Sequence, residues 1–268
     1  MKIPRPIITR EHGAWAVLLV PIIVAASATN IVSIELILFV LAALGAFLSY
    51  VPAQILLRVR FRNGYNDGKL TASKFWLPVY ASITFICLVW LLLGGYWFLL
   101  VIGMFGAVSF AVNFVLTRAS GKTIASDLVA VLGLTLTAPG AYYVTTGRLD
   151  ATAIMLWLLN SLFFCSSVFY VHMKIAARGL KSEVLSPRVR FQLGKLNILY
   201  HVAVFTIVML LAIFQYTPLL MAVVFLPMVV HAVYGTLRLS SDVQFKRLGF
   251  LLLGHSITFA LLFIIVKF

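Results

Sequence analysis

Three ionisable residues stand directly before the first apolar run of the chain, in the stretch TREHGAWAVLLVP (Thr9 to Pro21). Charged groups are costly at the edge of hydrocarbon, so Arg10, Glu11 and His12 require a reason to be there. A carboxylate beside an imidazole can orient it for proton transfer. Alternatively, Glu11 only offsets Arg10 and suits the dipole at a helix start. We treat Glu11 and His12 as candidate catalytic residues and Arg10 as a candidate ligand-binding residue.

A second polar group ends the second apolar run, where Gln54, Arg58 and Arg62 follow i, i+4, i+8 spacing and share one helix face. Guanidinium groups bind phosphate oxygens bidentately, so this face could hold an anion without metal. The alternative is an orientation signal that anionic headgroups attract by about 1 kcal/mol per charge. These three residues, with Arg118 after the fourth run, are candidate ligand-binding residues.

A third group lies around the ends of the fifth and sixth runs. His172 and Lys174 are near the membrane boundary, and Arg178 follows them; the alternative is an interfacial histidine with a snorkelling lysine. Asp127 falls in the first turn of the fifth run, where helix capping is the alternative. His172 and Asp127 are candidate catalytic residues, and Lys174 and Arg178 are candidate ligand-binding residues.

The composition indicates a polytopic membrane protein. The chain is 63% hydrophobic and 10% charged, whereas soluble domains have about 45–50% apolar and about 25% charged residues. The net charge of +14 does not indicate nucleic-acid binding, because the basic residues lie in short segments between apolar runs. Cys87 and Cys165 fall inside apolar runs and are expected to be free thiols.

Nine segments are near the roughly 20 residues needed to cross a ~30 Å hydrocarbon core. We therefore predict an all-α integral membrane protein with one domain over 1–268. The predicted transmembrane helices are 12–30, 33–57, 75–94, 96–117, 124–146, 151–174, 193–214, 217–237 and 247–266.

The basic residues alternate between the two sides of these nine segments. With the N-terminus on the first side, 19 of the 21 lysines and arginines fall there, and only Arg148 and Lys267 fall on the other. The positive-inside bias then predicts a cytoplasmic N-terminus and an outside C-terminus in the cell's cytoplasmic membrane.

Two resemblances follow from quoted motifs. The passage NFVLTRASGKTIASDLVAVLGLTLTAPGAYYVTTGRLD (Asn113 to Asp150) resembles helices 4 and 5 of the UbiA superfamily of intramembrane prenyltransferases, which share the nine-helix arrangement. The stretch REHGAW resembles the signature of the YwiC-like family of bacterial membrane proteins. The first resemblance implies a UbiA-like bundle with a cytoplasm-facing cavity and an isoprenoid substrate.

The chain departs from the UbiA pattern where those enzymes carry Asp-rich magnesium motifs. The corresponding ends read SYVPAQILLRVRFRNGYND and FYVHMKIAARGLKSE, and of nearby acids only Asp67, Glu183 and Asp127 remain. Magnesium is therefore not expected, and any other cofactor is open. We predict binding of an isoprenoid or other lipid with an anionic, phosphate-type head, with prenyl transfer left open. The alternative is a transporter or lipid-translocating protein without catalysis; protein partners are not specified by the sequence.

Three histidines, His201, His231 and His255, lie well inside the last three apolar segments. They could suggest haem or metal ligation, but their neighbours are aliphatic or aromatic and no two are four residues apart. Interhelical hydrogen bonding is the favoured interpretation for them, as it is for Asn113.

The topology can be tested with reporter fusions at loop positions, because the charge alternation fixes the side of every loop. We expect outside signals from fusions at Thr29, Gly95, Arg148, Thr217 and Phe268. We expect cytoplasmic signals from fusions at Asn63, Lys122, Leu185 and Ser240. A single interior fusion that reports the opposite side would contradict the nine-helix topology.

Overall fold

Ten helices and no strand make up the part of the chain that the computed structural model describes, which is residues 4–9, 12–59, 67–180 and 185–266. The predicted all-α class is confirmed for these residues. The helices are α1 (His12–Thr29), α2 (Ile34–Val59), α3 (Asp67–Leu93), α4 (Phe98–Ser120), α5 (Ile124–Leu134), α6 (Thr137–Thr146), α7 (Ala151–Gly179), α8 (Pro187–Ile213), α9 (Met221–Leu237) and α10 (Phe245–Val266).

Seven segments of the described chain are long and apolar enough to cross a membrane, and α5 and α6 together supply one of them, Ile124–Thr146. The other two predicted segments are the shorter apolar helices Gly13–Thr29 and Met221–Leu237. At 1.5 Å per residue, helices of this length reach about 26 Å, close to the ~30 Å hydrocarbon core. All nine predicted segments are thus helical, and the chain is a multi-pass membrane protein.

Several helices extend beyond the bounds predicted from hydropathy. The predictions 75–94, 151–174 and 193–214 are each too short at the end that carries basic residues. Hydropathy marks where hydrocarbon ends, whereas a helix ends where its backbone groups are capped. At α8 the cap is Ser186, whose side chain accepts a hydrogen bond from the Val189 N–H.

The fifth membrane segment is broken between α5 and α6. Pro139 has no N–H to donate to the carbonyl of Thr135, and its ring clashes with a continuous helix at that point. The Ala138 N–H donates to this carbonyl instead, at 3.0 Å. The Thr135 hydroxyl is 2.7 Å from Ser161 Oγ of α7, so the break is anchored to a neighbouring helix.

Helix α7 is the centre of the bundle and packs against α1, α5, α6, α8 and α9. The apolar core includes aromatic side chains at this junction: the Phe163 ring stacks on Phe259 of α10, with ring centroids 3.9 Å apart. Phe225 of α9 is fully buried in the same cluster.

Asp150 fixes the start of α7. Its carboxylate accepts hydrogen bonds from the N–H groups of Thr152 and Ala153, at 2.9 and 3.3 Å, and from the Tyr142 hydroxyl at 3.1 Å. Slight burial raises the pKa of Asp150, but these hydrogen bonds stabilise its charged form more. The pKa therefore lies below its ordinary value.

Helices α2 and α3 approach closely at Gly45. A Cβ atom there would lie 2.8 Å from the Tyr80 carbonyl oxygen and 2.5 Å from Thr84 Oγ1. The backbone carbonyl cannot swing away as a flexible side chain could, so this helix pair requires glycine.

The substitution Gly45→Ala should lower the free energy of unfolding by about 1–3 kcal/mol, because the added methyl group overpacks the α2–α3 contact. Unfolding in mixed detergent micelles, followed by circular dichroism, measures this. Gly249→Ala in α10 is the matched control: its Cβ would meet nothing within 4 Å, so stability should be unchanged or slightly higher. Equal stability of both variants would contradict the close approach.

Candidate functional site

A chain of hydrogen bonds joins α2, α4 and α5 near the ends that carry the candidate residues. Gln54 Nε2 donates to the Tyr50 hydroxyl at 2.5 Å, and this hydroxyl donates to Asn113 Oδ1 at 2.6 Å. Asn113 Nδ2 then donates to the Ser126 carbonyl at 2.7 Å. We call Gln54, Tyr50, Asn113 and Ser126 the polar chain. Through Tyr50 and Asn113 it links one predicted site residue, Gln54, to two further helices.

Asp127 and His172 meet beside the polar chain. Asp127 Oδ2 is 2.9 Å from His172 Nε2, which joins the start of α5 to α7. The capping interpretation of Asp127 does not hold, because Thr123 and Ser126 form the capping box of α5. The Asp127 carboxylate therefore does not cap the helix and contacts the imidazole of His172 instead. A carboxylate in this position fixes the orientation of the ring.

The remaining candidates on α7 lie against aromatic rings rather than beside the Asp127–His172 pair. Lys174 Nζ lies 5.4 Å from the centroid of the Tyr170 ring, and that ring contacts His231 of α9. Arg178 Cζ lies 5.0 Å from the Phe245 ring of α10. The structure therefore does not bring Lys174 and Arg178 together with Asp127 and His172.

Two candidate arginines are exposed at helix ends on the same side of the bundle. Arg58 lies one turn beyond Gln54 on α2, and Arg118 lies near the end of α4. Arg10, Glu11, Arg62 and Glu183 lie outside the described residues, as do the side chains of His12 and Asp67. Their predicted roles stay predictions.

The segment before α1 is tied to the bundle by two indole groups. Trp76 Nε1 donates to the Pro4 carbonyl at 3.0 Å, and Trp15 Nε1 donates to the Thr9 carbonyl at 3.4 Å. Residues 4–9 thus lie near the start of α3, on the same side of the bundle as the polar chain.

An apolar cavity of about 260 Å³ lies between α2, α3, α4 and the α5–α6 break. Small residues on the facing helices leave this space, among them Ala46, Gly106 and Gly133. Phe110 lines the cavity, and its ring centroid is 4.9 Å from that of Tyr50. One wall of the cavity, the Phe110 ring, is therefore in contact with the Tyr50 ring of the polar chain.

The sequence alone did not place several of these residues at the candidate site. The interhelical bonds predicted for Asn113 are confirmed, but their place beside the candidate site was not foreseen. Tyr50 was missed, although its spacing of four residues from Gln54 puts both on one helix face. The hydrogen bonds of His201 and His255 run to carbonyls of their own helices rather than between helices.

No three histidine, cysteine, aspartate or glutamate side chains of the described residues are grouped so that they could hold a metal ion. Of the three acids near the helix ends, Asp127 is the one whose side chain is described, and it is paired with His172.

The described helices and the paired polar residues at their ends define a multi-pass helical membrane protein. The model of the YwiC-like protein family matches residues 8–142, just over half of the chain, and the chain belongs to this family. No curated protein and no solved structure matches it.

A double-mutant cycle should detect the contact between Asp127 and His172. We expect Asp127→Asn and His172→Gln to couple by about 0.5–1 kcal/mol in the free energy of unfolding. The lower end of the usual range applies because the side chains are 34% and 18% exposed, and solvent screens the pair.

The control cycle combines Asp127→Asn with Thr258→Val on an exposed turn of α10, where the two effects should add. Additive effects in the Asp127–His172 cycle itself would mean that the pair contributes nothing.

Proposed function

We propose that this YwiC-like protein binds an isoprenoid, or another lipid with an anionic, phosphate-type head, from the cytoplasmic side of the cell membrane. The observation that carries the proposal is the position of the apolar cavity, which the Phe110 ring separates from Tyr50 and the polar chain. An amphiphilic ligand needs an apolar compartment and a polar one in contact, and these two compartments adjoin.

The tail of the ligand would occupy the apolar cavity. Transfer of methylene groups from water to such a space is favourable by about 0.8 kcal/mol each, so a chain of several isoprene units would bind mainly through this term. The lining consists almost wholly of alanine, glycine, leucine and phenylalanine side chains with two threonines, which leaves few polar groups for a hydrocarbon chain to bury.

The head would lie where the polar chain meets the basic helix ends. Arg58 and Arg118 are exposed there, and the amide of Gln54 is one turn deeper than Arg58. Guanidinium groups can bind phosphate oxygens in pairs without a bridging cation. Lys174 and Arg178 face α9 and α10, so in this proposal they do not hold the head.

The UbiA resemblance supports an enzymatic form of the proposal, a divergent prenyltransferase. The Asp127–His172 pair would then supply the acid–base group, because a carboxylate-oriented imidazole can accept a proton from an attacking nucleophile. The arginines would neutralise the leaving phosphate oxygens in place of magnesium.

Binding of farnesyl phosphate to the protein in nanodiscs should survive chelation by EDTA. Arginine side chains contact phosphate oxygens directly, whereas a carboxylate site requires a divalent cation between the two anions. Native mass spectrometry or calorimetry with and without EDTA measures this. Loss of binding in EDTA, restored by Mg²⁺, would reject the direct arginine contact and direct attention to Asp67, Glu183 and Asp127.

The site of binding is tested by filling the apolar cavity. Gly106→Leu should lower the affinity for farnesyl phosphate at least tenfold, since a Cβ at Gly106 meets open space and a larger side chain can enter the cavity. Gly249→Leu is the matched control on α10, where the glycine is equally free of neighbours but does not line the apolar cavity. Equal affinity of both variants would place the ligand elsewhere.

A further inference from the structure

A second cavity lies on the side of α7 that faces away from His172, between α1, α7, α8, α9 and α10. Its volume is about 90 Å³, and three histidines, His201, His231 and His255, line it together with Tyr170. Gly13, from the REHGAW stretch, lines it as well. We call it the histidine cavity. None of its lining residues belongs to the polar chain or to the apolar cavity.

Two of the histidines, His201 and His255, have a hydrogen-bond acceptor at Nε2. Nδ1 of His201 is 2.7 Å from the Asn197 carbonyl oxygen, and Nδ1 of His255 is 2.9 Å from the Leu251 carbonyl oxygen. A carbonyl only accepts, so in each ring Nδ1 carries the hydrogen. In the neutral imidazole Nε2 is then an acceptor. These residues therefore favour a ligand that donates a hydrogen bond.

The serine side chains of the cavity have the same polarity. Ser166, Ser167 and Ser256 each donate their hydroxyl hydrogen to a carbonyl three or four residues earlier in their own helix. Each retains oxygen lone pairs and has no further hydrogen to donate. The polar lining is thus rich in acceptors.

His231 is a buried polar group at this site that lacks a partner among the described residues. Its Nε2 atom is buried and makes no hydrogen bond within the described residues. Its ring centroid is 4.5 Å from that of His255 and 4.6 Å from that of Tyr170, so the two imidazoles are neighbours. A buried polar atom without a partner is destabilising, and a ligand that hydrogen-bonds to it would remove this cost.

One positively charged side chain among the described residues lies beside the cavity. Lys174 is half-buried beside Tyr170 and lies within electrostatic reach of His231. Among the described lining residues there is no carboxylate and no arginine. Within the described lining, a bound cation would have no counter-charge, and a phosphate would have no guanidinium group to bind it. The acceptor-rich lining favours a ligand that donates a hydrogen bond, and Lys174 favours one that can be negatively charged. An acidic hydroxyl group has both properties, because it donates a hydrogen bond when neutral and carries one negative charge when ionised.

We propose that the histidine cavity binds the head of a lipid-soluble carboxylic acid of the fatty-acid type. The carboxyl O–H donates to Nε2 of an imidazole of the His231–His255 pair. On proton transfer the O–H bond breaks and an N–H bond forms, which leaves a carboxylate beside an imidazolium, and Lys174 adds a second positive charge. The tail passes along apolar lining residues such as Leu252 and Leu253 toward the lipid.

The test uses the full-length protein in nanodiscs and the fluorescent acid cis-parinaric acid as probe. Oleic acid should displace the probe, and methyl oleate should do so at least tenfold more weakly, because the ester has neither an acidic hydrogen nor a charge. This comparison needs no variant. Equal displacement by the ester would overturn the proposal, and so would the absence of saturable probe binding, which would mean that the cavity holds only water.

The location is tested with His231→Gln, which should weaken probe binding at least tenfold while the protein stays monodisperse. Thr258→Val, on the exposed face of α10, is the control and should bind the probe as the unmodified protein does. Unchanged binding in His231→Gln would overturn the proposal. Displacement of the probe by farnesyl phosphate would also overturn it, because the probe would then report the apolar cavity.

Discussion

Polar groups inside hydrocarbon have no water to pair with, and this constraint fixes the structure around Asn113. The buried carboxamide has one partner on α2, the Tyr50 hydroxyl, and one on α5, the Ser126 carbonyl. If α4 slid or rotated, at least one of these groups would be left without a partner, at about 1–3 kcal/mol. A single side chain therefore constrains the relative positions of three helices at the candidate site.

Helix α7 divides the bundle into two chemically different halves. His172 and Lys174 are two residues apart, which at 3.6 residues per turn puts them on nearly opposite sides of the helix. The first side chain meets the carboxylate of Asp127, and the second lies over Tyr170 next to the histidine cavity. One helix thus supplies a polar group to each of two separate places, His172 to the contact with Asp127 and Lys174 to the edge of the histidine cavity.

The family match covers one of the two cavities completely and the other only in small part. Residues 8–142 include α1 to α5, most of α6, every residue that lines the apolar cavity and the whole polar chain. His172 and the histidines of the second cavity lie beyond this range. The apolar cavity and the polar chain are therefore properties of the region that defines the family match, while the histidine cavity joins Gly13 and neighbouring α1 residues to the second half of the chain.

The sequence by itself determined the class, the nine apolar helices and which residues lie near the membrane boundary, because hydropathy and helical periodicity are local properties. Their position near the membrane boundary, together with the resemblance to the UbiA superfamily, identified both Asp127 and His172 as site candidates. The sequence did not determine that Lys174 turns away from them, that Asn113 joins three helices, or that His231 and His255 are neighbours. Those facts depend on which helix packs against which face, and the packing partners are far apart in sequence: 45 residues separate Asp127 from His172. Only the tertiary structure decides such contacts, because the free energy of helix packing in a membrane comes from the fit between surfaces rather than from any one segment.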